Sequence, residues 1–309
     1  MLRAQRDGGW GVLIRMGYAL NYALGHDIAG RTVAKYPDDR FLVAYPGSGG
    51  QWLRRLVGNL MNPSQPVTDA NILERVPDLY HQSCRRFKRM ARPRILFSHE
   101  CYDADCHGSV VYLVRDPRDV AVSSYEQRRT VDGALPSLEQ FVATDFMRTD
   151  QYQCGWVEDF SGAIRQHRGP LYLSRLKEGF LGTPASWGEN VMSWLGARGE
   201  DPRGLMMVRY EDLFAHPEEV LESIAEFLDL RSPVERIRSA VQVSGEGAST
   251  EWPQPPGKWE TNLPPSAVSV IEAAWSALMV FLGYSPTAAG PDREMHRSVE
   301  NSSDNRSLA

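Results

Sequence analysis

The residues best suited to chemistry in this chain form a glycine-rich turn between an apolar run and a helical pattern. The turn reads Tyr-Pro-Gly-Ser-Gly-Gly-Gln-Trp over residues 45–52. Three glycines let the main chain approach a ligand without Cβ clashes, and a helix beginning near Gln51 points N–H groups and its positive dipole end at the turn. The pattern predicts a backbone cradle for phosphate or sulfate, made by Pro46, Gly47, Ser48, Gly49, Gly50, Gln51 and Trp52. No lysine lies in this turn, which matches neither common nucleotide-binding loop motif.

A second anion site is indicated where the apolar run at residues 110–114 ends. Arg115 follows that run, at the edge where open α/β sheets bind their ligands. Ser123 falls just over two helical turns further along the next predicted helix, so the guanidinium and the hydroxyl are expected to face one phosphate. The alternative is that Arg115 pairs with Asp116 or Asp119 as ordinary strand-end electrostatics.

Hydrophobic periodicity predicts the elements that position these residues. Apolar runs predict strands at residues 40–45, 95–98, 110–114, 171–173 and 205–208. Helical patterns lie between and after them, at 52–61, 120–129, 135–146, 187–195, 217–228 and 266–282. Residues 244–257 are rich in Gly, Ser and Pro and predict a loop or lid. The alternation predicts a single α/β domain, in which a central parallel sheet has helices on both faces.

Composition narrows the class of protein. The chain has 309 residues, of which 42% are hydrophobic, enough for one large α/β core. A net charge of −5 argues against a general nucleic-acid binder. Four cysteines do not make a disulfide framework in a chain of this length, so a reducing compartment, the cytoplasm, is expected. The ligand types within residues 99–107 have an unusual spacing for zinc, and no metal site is predicted.

The two ends of the chain are predicted to flank the domain. Residues 11–24 are apolar but contain Arg15 and Asn21, and they are shorter than the ~20 residues that span a bilayer. They predict a helix that lies on the domain or on a membrane surface, rather than a transmembrane span. Residues 288–309 are polar and aperiodic, which predicts disorder. The predicted boundaries are 1–37 for a helical extension, 38–287 for the domain and 288–309 for the tail.

Taken together, these segments resemble the phosphosulfate-dependent sulfotransferases. The first signature of that family runs Tyr-Pro-Lys-Ser-Gly-Thr-Thr-Trp, and the second is a strand, an arginine and a Ser-containing helix. The resemblance continues at His99, at Trp187 and Trp194, and at residues 208–213 and 257–262, so that it covers about residues 38–286. It implies a P-loop-like phosphosulfate loop, 3′-phosphoadenosine 5′-phosphosulfate (PAPS) as sulfuryl donor and no metal. It also implies O-sulfation of a small-molecule, lipid or carbohydrate hydroxyl.

The resemblance also implies roles for individual residues. His99 takes the role of general base, which suits an imidazole that titrates near neutrality. Arg115 and Ser123 grip the 3′-phosphate, because an arginine fork donates two parallel hydrogen bonds to such a group. Trp52 and Tyr210 contact adenine, and Gly257 and Lys258 belong to the carboxyl-terminal cofactor element. The alternatives are a structural role for His99 and core positions for the two aromatic residues.

Several departures from the family pattern concern charge around the transferring group. Gly47 replaces the loop lysine, and the loss of one preorganised donor commonly costs on the order of 10²–10³ in rate. Phe97 stands where many relatives have another lysine, Gly50 and Gln51 replace a hydroxyl-bearing pair, and no basic pair precedes Gly257.

The missing cations leave two functions open. Arg54, Arg55 and Lys258 are candidate replacements, although each can also be ordinary surface charge. The alternative to a weakened enzyme is a noncatalytic scaffold that binds a nucleotide or a protein. Gly47→Lys is expected to raise the turnover of an enzyme only.

Two further groups are interpreted as structural. The tryptophans at 187 and 194 share one helical face and are expected to lie in the core. Glu211 and Asp212 are expected to cap the helix that begins near Pro217.

Overall fold

The computed structural model describes residues 36, 38–78, 89–99, 101–102, 108–131, 135–147, 186–200, 203–230, 232–245 and 253–287. The helix predicted at 11–24, the strand at 171–173 and the tail at 288–309 lie outside the described residues, as does most of the window 99–107. The predicted domain boundaries therefore stay predictions.

The described ranges contain four strands and a series of helices. The strands are β1 (Arg40–Ala44), β2 (Ile95–Ser98), β3 (Ser109–Val114) and β4 (Leu205–Arg209). The helices before β4 are α1 (Gly50–Met61), α2 (Ile72–Arg75), α3 (Pro117–Val131), α4 (Leu138–Phe141) and α5 (Trp187–Glu200). Those after it are α6 (Tyr210–Ala215), α7 (Pro217–Phe227), α8 (Val234–Gly245), α9 (Trp259–Asn262) and α10 (Pro265–Phe281).

All strand pairs are parallel, and the sheet order is β2-β1-β3-β4. In the register, Leu42 of β1 lies opposite Phe97 of β2 on one side and Val111 of β3 on the other. The neighbours of β1 are the two strands that follow it in the chain. The sheet therefore has a topological switch point at β1, where α/β proteins bind ligands outside the carboxyl ends of the strands.

The strands are apolar on both faces because helices cover both faces. Along β1, Phe41 and Val43 point to one face and Leu42 and Ala44 to the other, as the period of two requires. One face packs against side chains from α3, α5 and α10, and the other against α1, α7 and α8. The predicted α/β architecture is confirmed, including the core positions of the tryptophans at 187 and 194, which are 0% and 2% exposed.

Three local predictions differ from the structure. The helix expected at 135–146 is the short α4, capped by Ser137, which continues as a π-helical turn over Val142–Phe146. Helix α8 was not predicted, although its buried positions recur at helical spacing. The capping role expected of Glu211 and Asp212 is wrong, since both lie inside α6 and no side chain caps α7.

No described helix combines the length and the apolarity that crossing a membrane requires.

Candidate functional site

The sheet order brings the sequence-predicted residues together along one edge. His99 follows β2, the glycine-rich loop follows β1, Arg115 follows β3 and Tyr210 follows β4. Because adjacent parallel strands lie about 4.8 Å apart, their carboxyl ends place these groups side by side in that order.

The loop after β1 has a conformation that glycine adopts most easily. Gly47 and Gly49 have φ angles of +83° and +93°, in the left-handed region. Within the described part of the chain, the N–H groups of Gly49, Gly50 and Gln51 have no acceptor. The hydroxyl of Ser48 is fully buried there and also lacks a hydrogen-bond partner. Donors without acceptors at the positive end of a helix fit a phosphate or sulfate group.

Arg115 joins this loop to the end of β3. Its Nη1 donates to the carbonyl oxygen of Gly47 at 3.2 Å, and its Nη2 lies 3.7 Å from Oδ2 of Asp119. Asp116 pairs instead with Arg118, whose Nη2 is 2.6 Å from its Oδ2. Arg115 therefore forms both the ion pair with Asp119, which the sequence suggested as an alternative, and a hydrogen bond to the glycine-rich loop.

The ring of Tyr210 packs against the guanidinium of Arg115. The guanidinium carbon lies 4.3 Å from the centre of the Tyr210 ring, a cation–π contact. The phenol oxygen donates to the carbonyl oxygen of Gln254 at 2.7 Å and accepts from its N–H at 3.0 Å. Burial raises the pKa of this phenol to about 12, so Tyr210 stays neutral. It links β4 to the carboxyl-terminal segment, a contact that the sequence did not indicate.

Trp52 lies inside α1, and its side chain is 4% exposed. Its ring meets the ring of Tyr210 edge-on at 5.7 Å and that of Phe214 at 6.3 Å. These contacts match the core alternative. The adenine contacts of Trp52 and Tyr210 stay predictions.

His99 has its tautomer set by the neighbouring strand. Its Nδ1 is 2.6 Å from the carbonyl oxygen of Ala44, the last residue of β1. A carbonyl can only accept, so Nδ1 carries the proton and, in the neutral ring, the lone pair is on Nε2. The backbone carbonyl of His99 accepts from Nδ2 of Asn190 on α5 at 3.2 Å. The ring is thus fixed in the tautomer that a base acting at Nε2 needs.

Phe97 explains the glycine at position 50. A Cβ on Gly50 would lie 2.6 Å from Cζ of Phe97, closer than any real contact. The Phe97 ring also lies edge-on to His99, with centroids 4.7 Å apart, and under the guanidinium of Arg54 at 4.6 Å. The two departures from the family pattern, at 50 and at 97, are therefore complementary: the aromatic ring fills space that a hydroxyl-bearing residue at 50 would need.

Two of the three candidate replacement cations are held in structural contacts. Arg54 donates through Nε and Nη2 to the carbonyl oxygen of Val76 and through Nη1 to Oε1 of Gln51. Its burial lowers its pKa to about 10. Arg55 is also buried and pairs with Asp69. The alternative that these arginines are ordinary solvated surface charges is therefore also wrong, and neither supplies a mobile cation.

Lys258 is the remaining candidate, and it lies in a segment that is anchored to α3. Asp119 accepts hydrogen bonds from the N–H groups of Gly257 at 2.8 Å and of Trp259 at 3.0 Å. Within the described residues, the ammonium group of Lys258 forms no ion pair.

Ser123 is buried on α3. The neighbouring Ser124 is nearer the loop, since its Oγ lies 2.8 Å from where a Cβ on Gly47 would be. The phosphate contact of Ser123 stays a prediction.

Sequence reasoning missed two carboxylates that organise this edge. Asp119 was considered only as a partner of Arg115, although it holds the carboxyl-terminal segment. Glu211 accepts from the N–H of Asp116 at 3.1 Å and from the hydroxyl of Tyr284 at 3.0 Å, and burial raises its pKa. Among the described residues, no group of His, Cys, Asp and Glu is arranged to hold a metal ion.

Comparison with known proteins identifies the family. A family model described as a sulfotransferase domain matches residues 37–244, more than half of the chain. The chain belongs to the sulfotransferase family. The resemblance seen in the sequence is thereby confirmed for the family, while the roles of its divergent motif residues stay predictions.

Two curated members of the sulfotransferase family show how far this chain has diverged in sequence from its relatives. The 3-beta-hydroxysteroid sulfotransferase of Cavia porcellus is 25% identical over 219 residues, or 67% of this chain and 64% of that protein. Sulfotransferase 1B1 of Mus musculus is 27% identical over 210 residues, or 62% of this chain and 59% of that protein. The chain thus spans less than two thirds of the length of these relatives.

The crystal structure of mouse sulfotransferase SULT7A1 complexed with PAP has the same sulfotransferase fold. Its TM-score is 0.56 at 16% identity, and the match covers 81% of this chain and 88% of that chain. At this identity the likeness concerns the fold alone.

Proposed function

We propose that this chain is a sulfotransferase that moves a sulfuryl group from PAPS to an acceptor hydroxyl, with His99 as general base. The observation that carries the proposal is the position of a tautomer-fixed imidazole next to a donor-lined anion cradle. Nδ1 of His99 is bound to the last residue of β1, and the glycine-rich turn that forms the cradle begins immediately after that residue. A base and an anion site on adjacent strand ends are the two parts that transfer to a hydroxyl needs.

The donors of the site suggest which residues would hold PAPS. The N–H groups of Gly49, Gly50 and Gln51 and the hydroxyl of Ser48 suit the 5′ side, while Arg115 and Ser123 suit the 3′-phosphate. When bound, PAPS would supply a sulfuryl group joined to its 5′-phosphate by an anhydride bond.

His99 would accept the proton of the acceptor hydroxyl at Nε2. The Ala44 carbonyl supports this step, because the charge of the resulting imidazolium is stabilised by the Nδ1–H bond to that oxygen. The neighbouring Phe97 ring excludes water from one side of the imidazole. Lys258 is the cation that we assign to the anion site, since Arg54 and Arg55 are held in structural contacts.

The acceptor class rests on the relatives. The names of both curated relatives describe sulfotransferases, and one acts on a 3-beta-hydroxysteroid. A small hydroxylated molecule is therefore the first acceptor class to screen. Carbohydrate and lipid hydroxyls follow, the latter because an apolar amino-terminal segment suits peripheral membrane contact.

A second function, that of a noncatalytic nucleotide-binding scaffold, is favoured by one observation. The loop lacks its lysine, and the two arginines nearest to it along the chain are engaged in structural contacts. On this alternative the protein binds PAP, 3′-phosphoadenosine 5′-phosphate, but does not transfer the sulfuryl group.

Calorimetric titration of PAP into the wild-type protein tests the site without knowledge of the acceptor. Micromolar binding that weakens with salt is expected. Arg115→Gln, which retains donors for the Gly47 carbonyl but removes the charge, should weaken binding at least tenfold, as loss of a charged hydrogen bond costs ~1.5–3 kcal/mol. Arg209→Ala is the matched control, because it removes the same charge from the end of the neighbouring strand.

Turnover of labelled PAPS with a panel of hydroxylated acceptors then separates the two functions. No PAP binding up to millimolar concentration would contradict both of them. Binding without turnover across the panel would favour the scaffold.

A further inference from the structure

Asp119 lies within the anion site, although its own charge is negative. Asp119 and Ser123 are four residues apart and share one face of α3, while Arg115 lies just before the helix begins. The side chain of Asp119 is 1% exposed. A buried carboxylate beside an anion site opposes binding of the anion, and burial of this carboxyl raises its pKa, while the charge of Arg115 opposes that rise.

The contacts of this carboxylate point away from simple charge balance. Its ion pair with Arg115 is long, at 3.7 Å. Its two short contacts are to backbone N–H groups 138 and 140 positions later in the chain, at 2.8 Å from Gly257 and 3.0 Å from Trp259. Each oxygen takes one N–H group, so the carboxylate spans Lys258.

The backbone around Lys258 depends on this arrangement. Gly257 has a φ angle of +85°, and among the described residues other than its chain neighbours no atom lies within 4 Å of where its Cβ would be, so no side chain packs against the turn at this position. The Trp259 ring packs nearby against the guanidinium of Arg118, at 3.8 Å. Helix α9, which follows, is only four residues long, and the side chain of its N-cap residue, Lys258, makes no capping hydrogen bond. The short hydrogen bonds that tie residues 257–259 to α3 are those of Asp119.

We propose that Asp119 is a positioning residue that holds residues 257–259 against α3, so that Lys258 is directed to the anionic cofactor. The inference rests on the proposed function and deepens it, because it assigns a source of positive charge to a site whose loop has none. The same carboxylate couples the strand-end arginine to the carboxyl-terminal segment.

The direction in which Asp119→Asn changes PAP affinity separates a positioning role from a role in charge balance. If Asp119 only neutralises Arg115, then Asp119→Asn removes a negative charge from the site and should tighten PAP binding. If it positions the segment, Asp119→Asn should weaken binding, because an amide can accept only one of the two N–H groups and presents a donor to the other.

The experiment is a double-mutant cycle on PAP affinity, with Asp119→Asn, Lys258→Ala and the double variant measured by calorimetry. We expect Asp119→Asn to weaken binding by about tenfold, the lower range for a contact to a charged group. Lys258→Ala should weaken PAP binding by about the same factor in the wild-type protein, and by much less in a protein that already carries Asp119→Asn. Amide hydrogen exchange should accelerate at residues 257 and 259 in Asp119→Asn.

Asp39→Asn is the matched control, because it alters a fully buried carboxylate that pairs with Arg94 before the amino end of β1. It should lower stability without moving either PAP affinity or exchange at residues 257 and 259.

The outcomes distinguish this inference from the proposed function. If the wild-type protein does not bind PAP, both fail. If it binds PAP, but Asp119→Asn binds as well or better, or the two variants are additive, only the positioning role fails. Should Asp119→Asn not fold, Lys258→Ala alone decides, since unchanged PAP affinity in that variant overturns the inference.

Discussion

Restoring the family lysine at position 47 should damage this protein rather than improve it. The sequence alone suggested that Gly47→Lys would raise the turnover of an enzyme. In the structure, Gly47 has a φ angle of +83°, and a Cβ there would lie 2.8 Å from Oγ of Ser124 and 3.2 Å from the carbonyl oxygen of Val120. A side chain at this position strains the backbone and also meets α3.

The magnitude follows from these two terms. A non-glycine residue in the left-handed region costs about 1–2 kcal/mol, and overpacking costs about 1–3 kcal/mol. The sum, about 2–5 kcal/mol, corresponds to a fall in Tm of roughly 5–15 °C for a domain of this size. Because Arg115 donates to the carbonyl oxygen of Gly47, the displaced loop should also bind PAP more weakly.

Thermal unfolding and PAP calorimetry of the Gly47→Lys variant measure both effects. Gly47→Ala is the control, since it has the same Cβ without the charge and should lose nearly as much stability. In a Ser124→Gly background the loss of stability caused by Gly47→Ala should shrink, leaving the backbone strain and the contact with the Val120 carbonyl oxygen. A Gly47→Lys protein that melts within about 1 °C of the wild type and binds PAP more tightly would refute this reasoning.

The remaining predictions concern the base, the cradle and a buried acid. His99→Ala should leave PAP affinity unchanged and lower turnover by about 10²–10⁴, and a loss below tenfold would remove His99 from the role of base. Gly50→Ala should lower the free energy of unfolding by about 1–3 kcal/mol in urea, and by less in a Phe97→Leu background; equal costs would show that the ring is not the obstacle. Burial raises the pKa of Glu211, so the folded state binds its proton more tightly than the unfolded state, and ionisation of this group costs stability. The free energy of unfolding of the wild type minus that of Glu211→Gln should therefore decrease as the pH rises from the ordinary glutamate value through the raised one; an increase would contradict the buried-acid assignment.

The sequence predicted the sheet and its ligand edge because both depend on local patterns. Fully buried parallel strands read as continuous apolar runs, as at 110–114, and the residue after such a run must lie at the carboxyl edge. Arg115 and His99 were placed correctly on that basis. Helix α8 was missed because its apolar positions are few and the Gly- and Ser-rich stretch after it was taken to begin at residue 244.

Long-range contacts could not be predicted in the same way. Asp119 and Gly257 are 138 positions apart, and nothing local distinguishes a carboxylate that binds a distant backbone from one that pairs with its neighbour. The ion pair between Arg55 and Asp69 was not predictable for the same reason. The fit of Phe97 against Gly50 also could not be predicted, because it depends on how the start of α1 lies over β2, and each residue type was seen only as a separate departure from the family pattern.

The tethering of the carboxyl-terminal segment has a consequence for biosynthesis. The residues that bind this segment, on α3 and at the end of β4, are translated before it. At about 5–20 residues per second, roughly 7–28 seconds separate residue 119 from residue 257. During that interval Asp119 and Tyr210 lack the backbone partners that residues 254–259 supply. A truncated protein ending at residue 244, the last residue matched to the family, would keep this immature state permanently, because Tyr210 and Asp119 would lack their backbone partners at residues 254–259.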